Sequence, residues 1–265
     1  MNKSIQRAIA ILDCLVKSPR PLGISEIARQ LDIPKSSASD CLYTLHSCGC
    51  VVMNADKCFS IGSTIARLGT AALRLDRLKP LAGSILNSLH RRIRRPAHIF
   101  VENSGMALCI LSVGDERGSL YAKVGDTLEL HLTAAGKAML AKLDDEDIAA
   151  VMGTGCYTVH TSNSIFNHFT LMRELKIVRE NGYALERFEN NSYSSAVASG
   201  FCDFDNRPCA ISIRLDKADL EPRNLKLFVG EVSEAAAQME RLIAECTVNT
   251  TETDDIHIDA AGCPD

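Results

Sequence analysis

Residues 23–61 read GISEIARQLDIPKSSASDCLYTLHSCGCVVMNADKCFSI, and this stretch decides how the first part of the chain folds. Ser25 is placed to cap a first helix, with Glu26 in its first turn, where a negative charge suits the dipole. Ile27, Ala28 and Leu31 give that helix an apolar stripe. Asp32, Ile33 and Pro34 end it, because Pro34 disfavours helical geometry at Ile33 yet suits the first position of a new helix. The second helix turns Ala38, Cys41, Leu42 and Leu45 inward. Its outward face carries Lys35, Ser36, Ser37, Ser39, Asp40 and Tyr43, and is short, polar and rich in hydroxyls. Gly49 stops this helix. Residues 51–53 and 58–61 then pair as strands across a turn at Asn54, Ala55, Asp56 and Lys57. Helix, tight turn, helix and hairpin together make a winged helix-turn-helix, with a second helix shaped for the DNA major groove.

Working outward, Ile5, Ile9, Leu12 and Val16 recur at helical spacing and predict a helix over 4–17 that packs across the other two. Beyond the hairpin, Ile65, Leu68, Ala72 and Leu75 share one face of a helix over 63–75. A polar segment at 76–80, broken by Pro80, marks a domain junction. The expected division is therefore 1–62 as the winged helix-turn-helix, 63–80 as a linker helix suited to a dimer seam, 81–246 as a second domain and 247–265 as a disordered tail. That tail holds five acids and no Lys or Arg.

The second domain alternates hairpins with helices. Helices are expected over 81–94, 134–143, 148–152, 171–181 and 224–246. Strands are expected over 98–101, 107–113, 119–124, 127–132, 183–186, 195–201 and 209–215, with turns at Asn103-Ser104-Gly105 and Asp205-Asn206. The pattern gives an α+β class with an antiparallel sheet. The run His90-Arg91-Arg92-Ile93-Arg94-Arg95 suits a helix C-terminus and is also a candidate phosphate contact.

Composition bounds the function. At 265 residues and 46% hydrophobic content the chain can fill two cores. No apolar run approaches the roughly 18 residues of a membrane span. The start, MNKSIQRAIAIL, is too polar for a signal peptide, so a cytoplasmic protein with reduced thiols is expected despite 11 cysteines. Net charge is −4, but residues 1–80 hold 11 Lys/Arg against 6 Asp/Glu and residues 81–265 hold 18 against 27. A basic first domain on an acidic body is the asymmetry expected where only one domain meets phosphate.

Thr133 is placed to cap a helix whose first residues, Ala134, Ala135 and Gly136, are small. Free amides at such a helix start suit a carboxylate or phosphate, and an ordinary capped helix with small packing residues accounts for the same letters. His46, Cys48, Cys50 and Cys58 gather around the wing, with Cys41 on the preceding helix, but no CxxC pair exists, and buried small hydrophobes explain the cysteines more simply. No nucleotide loop follows Gly153-Thr154-Gly155, and neither HExxH nor GxSxG occurs. No enzyme activity, metal or cofactor is expected.

The two halves together resemble the IclR family of bacterial transcriptional regulators. The resemblance is carried by ISEIARQLDIPKSSASDCLYTL and FSIGSTIARLG in the first half. In the second half it is carried by LELHLTAAGKAMLAKL, VRENGYALERFE and SGFCDFDNRPCAISI. It implies a GAF-like effector domain that binds a small organic acid, and a homodimer or homotetramer that occupies a palindromic double-stranded DNA operator. It also implies a pocket at Thr133, Ala134, Ala135 and Gly136, the acidic Glu186, and strand residues Ser195, Ala196, Ser212 and Arg214. Ala196 and Arg214 depart from the family pattern, and Arg214 is a candidate partner for an anionic effector. Asp40 also departs, standing where a basic residue is usual, and can accept from cytosine N4. The residues expected at DNA are Ser25, Lys35, Ser36, Ser37, Ser39, Asp40, Tyr43 and Lys57. A competing class is a ligand-binding signalling module whose helix-turn-helix mediates protein contacts. Salt-dependent DNA affinity separates the two.

Overall fold

The computed structural model describes residues 3–74, 78–114 and 122–254, with the backbone alone at 70–74 and 248–254. The chain divides into two compact units, residues 1–76 and 77–265.

The first unit holds helices α1 (Lys3–Lys17), α2 (Ile24–Gln30), α3 (Lys35–Ser47) and α4 (Ser63–Arg74). It also holds strands β1 (Leu22–Gly23), β2 (Val51–Met53) and β3 (Cys58–Ile61), which form an antiparallel sheet in the order β1-β3-β2. Ile11, Leu15, Leu22, Ile27, Leu42, Val51 and Phe59 close one core from every element between α1 and β3. The helix-turn-helix and hairpin thus lie where the sequence places them.

Three local expectations are corrected. Gly23 caps α2 without a side-chain bond, and Ser25 lies exposed in the first turn. Pro34 is the residue before α3 rather than its first. On α1 the buried residues are Ile11 and Leu15, while Ile5, Ile9 and Val16 are 61%, 61% and 66% exposed. That helix is apolar on two sides, so the 3.6-residue period alone does not choose the packed one.

The second unit is a six-stranded antiparallel sheet between two helical layers. Its strands are β4 (Ala97–Asn103), β5 (Met106–Val113), β6 (Thr127–Glu129), β7 (Ala184–Arg187), β8 (Ser195–Cys202) and β9 (Pro208–Leu215), in the order β6-β5-β4-β9-β8-β7. Helices α5 (Leu78–Ile93) and α9 (Pro222–Asp254) cover one face over Ile99, Val197, Ile211 and Ile213. The other face, called inner below, meets α6 (Ala134–Leu140), α7 (Asp145–Met152) and α8 (His168–Asn181) over Phe100, Ala196, Ala198 and Ala210. Alternation along each strand divides the two cores. The Asn103-Ser104-Gly105 turn bends through left-handed backbone at Ser104 and Gly105, and Asn206 does the same in the later hairpin.

Here too some bounds move. Pro80 sits in the first turn of α5 instead of breaking the chain. Leu130–Leu132 is a 3-10 turn, not strand. Ala122 and Lys123 have no strand geometry, and residues 119–121 lie outside the described residues. Helix α9 runs on to Asp254, so part of the expected disordered tail is helical; residues 255–265 lie outside the described residues. Among the described residues no helix is long and apolar enough to cross a membrane.

Candidate functional site

On the first unit, α3 presents Lys35, Ser36, Asp40 and Tyr43 exposed, with Ser37 and Ser39 half-buried at its sides. Ala38 and Leu42 anchor its inner face at 0% exposure. Tyr43 is 49% exposed but its ring also packs edge-on against Phe59 of the hairpin, at 6.1 Å between centroids. The wing is held at its tip by Asn54, whose Oδ1 accepts from the amides of Asp56 at 3.1 Å and Cys58 at 2.9 Å. Lys57 is exposed there at φ 57°, in left-handed backbone. Ser25 lies on α2, outside the recognition helix. One residue escaped the sequence reading. Arg7 on α1 donates from Nη1 to Ser37 Oγ at 3.4 Å, which brings a guanidinium beside the start of α3. No sequence signal marks it: Arg7 stands one turn before the buried Ile11, on the same side of α1, and is half-buried there.

The basic run closing α5 is largely committed within its own unit. Arg92 pairs with Glu231 at 2.7 Å, and Arg95 donates from Nε and Nη2 to Asp219 at 2.7 and 2.8 Å. Burial raises the Asp219 carboxyl, but the Arg95 guanidinium and the Asp216 amide outweigh it and hold the pKa below the ordinary value. Arg91, Arg92 and Arg94 are exposed, Arg92 while paired with Glu231, and Arg95 is half-buried. The wing cysteines are not buried hydrophobes either. Cys48 is exposed, Cys41, Cys50 and Cys58 are half-buried, and among the described residues the fully buried thiols are Cys109 and Cys209 in the second unit. Among the described residues no cluster of three or more His, Cys, Asp or Glu side chains is arranged to hold a metal ion.

In the second unit Thr133 caps α6 as its spacing predicts. Its Oγ1 accepts from the Gly136 amide at 3.1 Å and donates to the Glu129 carbonyl at 3.0 Å. Gly136 is small because backbone crowds it: a Cβ there would stand 2.1 Å from the Leu130 oxygen. Ala134 and Ala135 are fully buried beside it. The small letters of this turn are therefore used for packing, and the Gly136 amide is already bonded.

The next residue, Lys137, has no exposed surface and gives its ammonium to Glu174 at 3.0 Å and Glu189 at 2.8 Å. The other oxygen of Glu189 accepts from the Arg187 amide, so this lysine ties α6 to the end of β7 beside Glu186.

Register places Glu186, Ala196 and Arg214 in one row across β7, β8 and β9. Ala196 belongs to the inner core, so the row faces inward. Glu186 is fully buried. Arg214 pairs outward with Asp216 at 2.9 Å, while its buried Nε finds no hydrogen-bond partner among the described residues. Ser212 lies on the same face one pleat along. Ser195 does not join them: alternation puts it on the opposite face with Val197, fully buried with an unbonded Oγ. The inner face thus carries a cation, a carboxylate and a hydroxyl around small alanines.

The comparisons agree on both units. The family model described as "IclR helix-turn-helix domain" matches residues 4–54, and "Bacterial transcriptional regulator IclR C-terminal" matches residues 70–241. The chain is similar to the HTH-type transcriptional regulator XynR of Escherichia coli (strain K12), with 24% identity over 91% of this chain and 97% of that protein. It is also similar to the HTH-type transcriptional repressor AllR of Escherichia coli (strain K12), with 25% identity over 76% of this chain and 75% of that one. Among solved structures, an IclR homologue from Microbacterium hydrocarbonoxydans complexed with 4-hydroxybenzoate shares the fold. Its TM-score is 0.76 and its identity 19%, over 92% of this chain and 100% of that one.

Proposed function

This chain is a member of the IclR family of bacterial transcriptional regulators, and we propose that it is a repressor whose hold on a double-stranded DNA operator is set by a small organic acid. Residues 1–62 are the DNA-binding part, 63–80 the link and 81–246 the effector-binding part. The observation that carries the effector reading is the row of Glu186, Ala196 and Arg214 on the inner face, the first two fully buried and Arg214 half-buried. A guanidinium whose Nη2 is paired with Asp216 but whose buried Nε–H is unmatched suits a carboxylate, and a sugar acid or another small carboxylate supplies one. The family likeness to a structure holding 4-hydroxybenzoate supports an acid, and the likeness to a protein named a repressor supports the sign.

At DNA, Lys35 and Lys57 contact phosphates, and Ser36, Ser37, Ser39 and Asp40 meet base edges, with Tyr43 braced on the wing. Ser25 adds a polar contact from α2. The protein binds as a homodimer or homotetramer, with half-sites about 34 Å apart for each helical turn between them. The effector acts by differential affinity for two arrangements of that assembly.

The test is a gel shift with DNA upstream of the protein's own and neighbouring genes, at two salt concentrations and with a panel of sugar acids and small carboxylates. A specific, salt-sensitive shift relieved by one acid is expected. No shift with folded, oligomeric protein would instead favour a module whose helix-turn-helix meets other proteins.

A further inference from the structure

We propose that His98 reads a hydroxyl group on the bound acid, so that the unit selects hydroxy acids over plain carboxylic acids; this rests on the inner sheet face being the effector site. His98 stands near the middle of the six-stranded sheet, on β4. Its register partners are Ser212 on β9 and Ser112 on β5, so three polar side chains cross adjacent strands in one row. The row continues through Ala198 and Ala184, both inner-face residues. It lies one pleat from the row of Glu186, Ala196 and Arg214, and strand geometry sets His98 and Arg214 roughly 8 Å apart at Cα. That is the span of a small hydroxy acid.

The chemistry of the two rows is complementary. The guanidinium of Arg214 only donates, which suits a carboxylate. An imidazole between two hydroxyls both donates and accepts, which suits a neutral hydroxyl and gives nothing to a methyl or methylene. His98 and Ser212 are fully buried, and Ser112 Oγ finds no hydrogen-bond partner among the described residues. The side chain below His98 is Phe100, whose ring lies 6.0 Å away, and Ala210 is its neighbour on β9. The face therefore turns from polar to apolar one pleat beyond the imidazole, and a ligand's carbon skeleton lies along it. Because these polar groups have no solvent contact, ligand entry requires the residues covering the face to move aside.

The experiment is isothermal titration of the full chain with three pairs of probes: 4-hydroxybenzoate and benzoate, gluconate and hexanoate, 3-hydroxybutyrate and butyrate. The wild-type protein is expected to favour the hydroxylated member of one pair by about tenfold or more, the scale of a hydrogen-bonded group lost from a built site. In His98→Phe that preference drops below about threefold with the plain acid still bound. Ser112→Ala is the second variant, expected to lower the preference by at least about threefold if His98→Phe does not fold. Equal binding within every pair, or a preference unchanged in the variants, overturns the proposal and leaves the small-acid reading standing. Binding of no acid at all overturns both.

Discussion

Lys137 is the residue where charge and packing are most tightly joined, because its ammonium has no exposed surface and is held between two carboxylates. Removing one partner of such a group strands the others, at about 3–5 kcal/mol. Lys137→Met is therefore expected to lower stability by that order, and replacing Glu174 and Glu189 with Gln in the same chain should recover part of it. Urea melts at pH 7 read both effects. Asp219 makes a pH prediction with a definite sign. Its folded pKa is held down, so the stability it contributes is fully present above the ordinary carboxyl value of about 4 and fades as pH falls through the folded value. Asp219→Asn should cost about 1–3 kcal/mol at pH 7, and the difference from wild type should shrink steadily below about pH 4. A pH-independent difference would assign the effect to shape alone. At this scale the sequence marked Glu186 and Arg214 through the family likeness, but it carried no sign of Arg7 beside Ser37.

Element α6 is short, yet it organises the inner layer through two close approaches. A Cβ at Gly136 would meet the Leu130 oxygen at 2.1 Å, and one at Gly200 on β8 would meet the Ala138 oxygen at 2.4 Å. Both neighbours are backbone, so neither can give without moving α6. Gly136→Ala and Gly200→Ala are each expected to cost about 1–3 kcal/mol or more, seen as a lower urea midpoint. A midpoint within error of wild type at either position would remove the close approach as the reason for glycine there. The Thr133 cap and the alanines after it announce this helix in the sequence, but they leave open whether small residues serve a ligand or a neighbouring backbone. Helix α1 teaches the same lesson: Ile5, Ile9 and Val16 fit the helical period as well as Ile11 and Leu15, and contact with α3 and β3 decided between them.

For the whole molecule, charge separates along the chain, with the Lys/Arg excess confined to residues 1–80. DNA affinity should therefore fall steeply with salt, in proportion to the phosphates engaged. Arg7→Ala is expected to reduce the slope of log K against log salt by about one for each copy at the operator, read by anisotropy titrations. An unchanged slope would make Arg7 only an internal link to Ser37. Most of the order of helices and strands, the two-unit division and the family were legible in the sequence alone. They depend on local signals such as Pro34, Gly49, Asn54 and Gly182, and on motifs whose spacing survives without coordinates. Only the tertiary structure decided which side of α1 is buried, that Ser195 turns away from Ala196, and that His98 lies between Ser112 and Ser212. Those facts depend on strand register and on competition between faces of equal hydrophobicity, and both are settled by contacts between residues far apart in the chain.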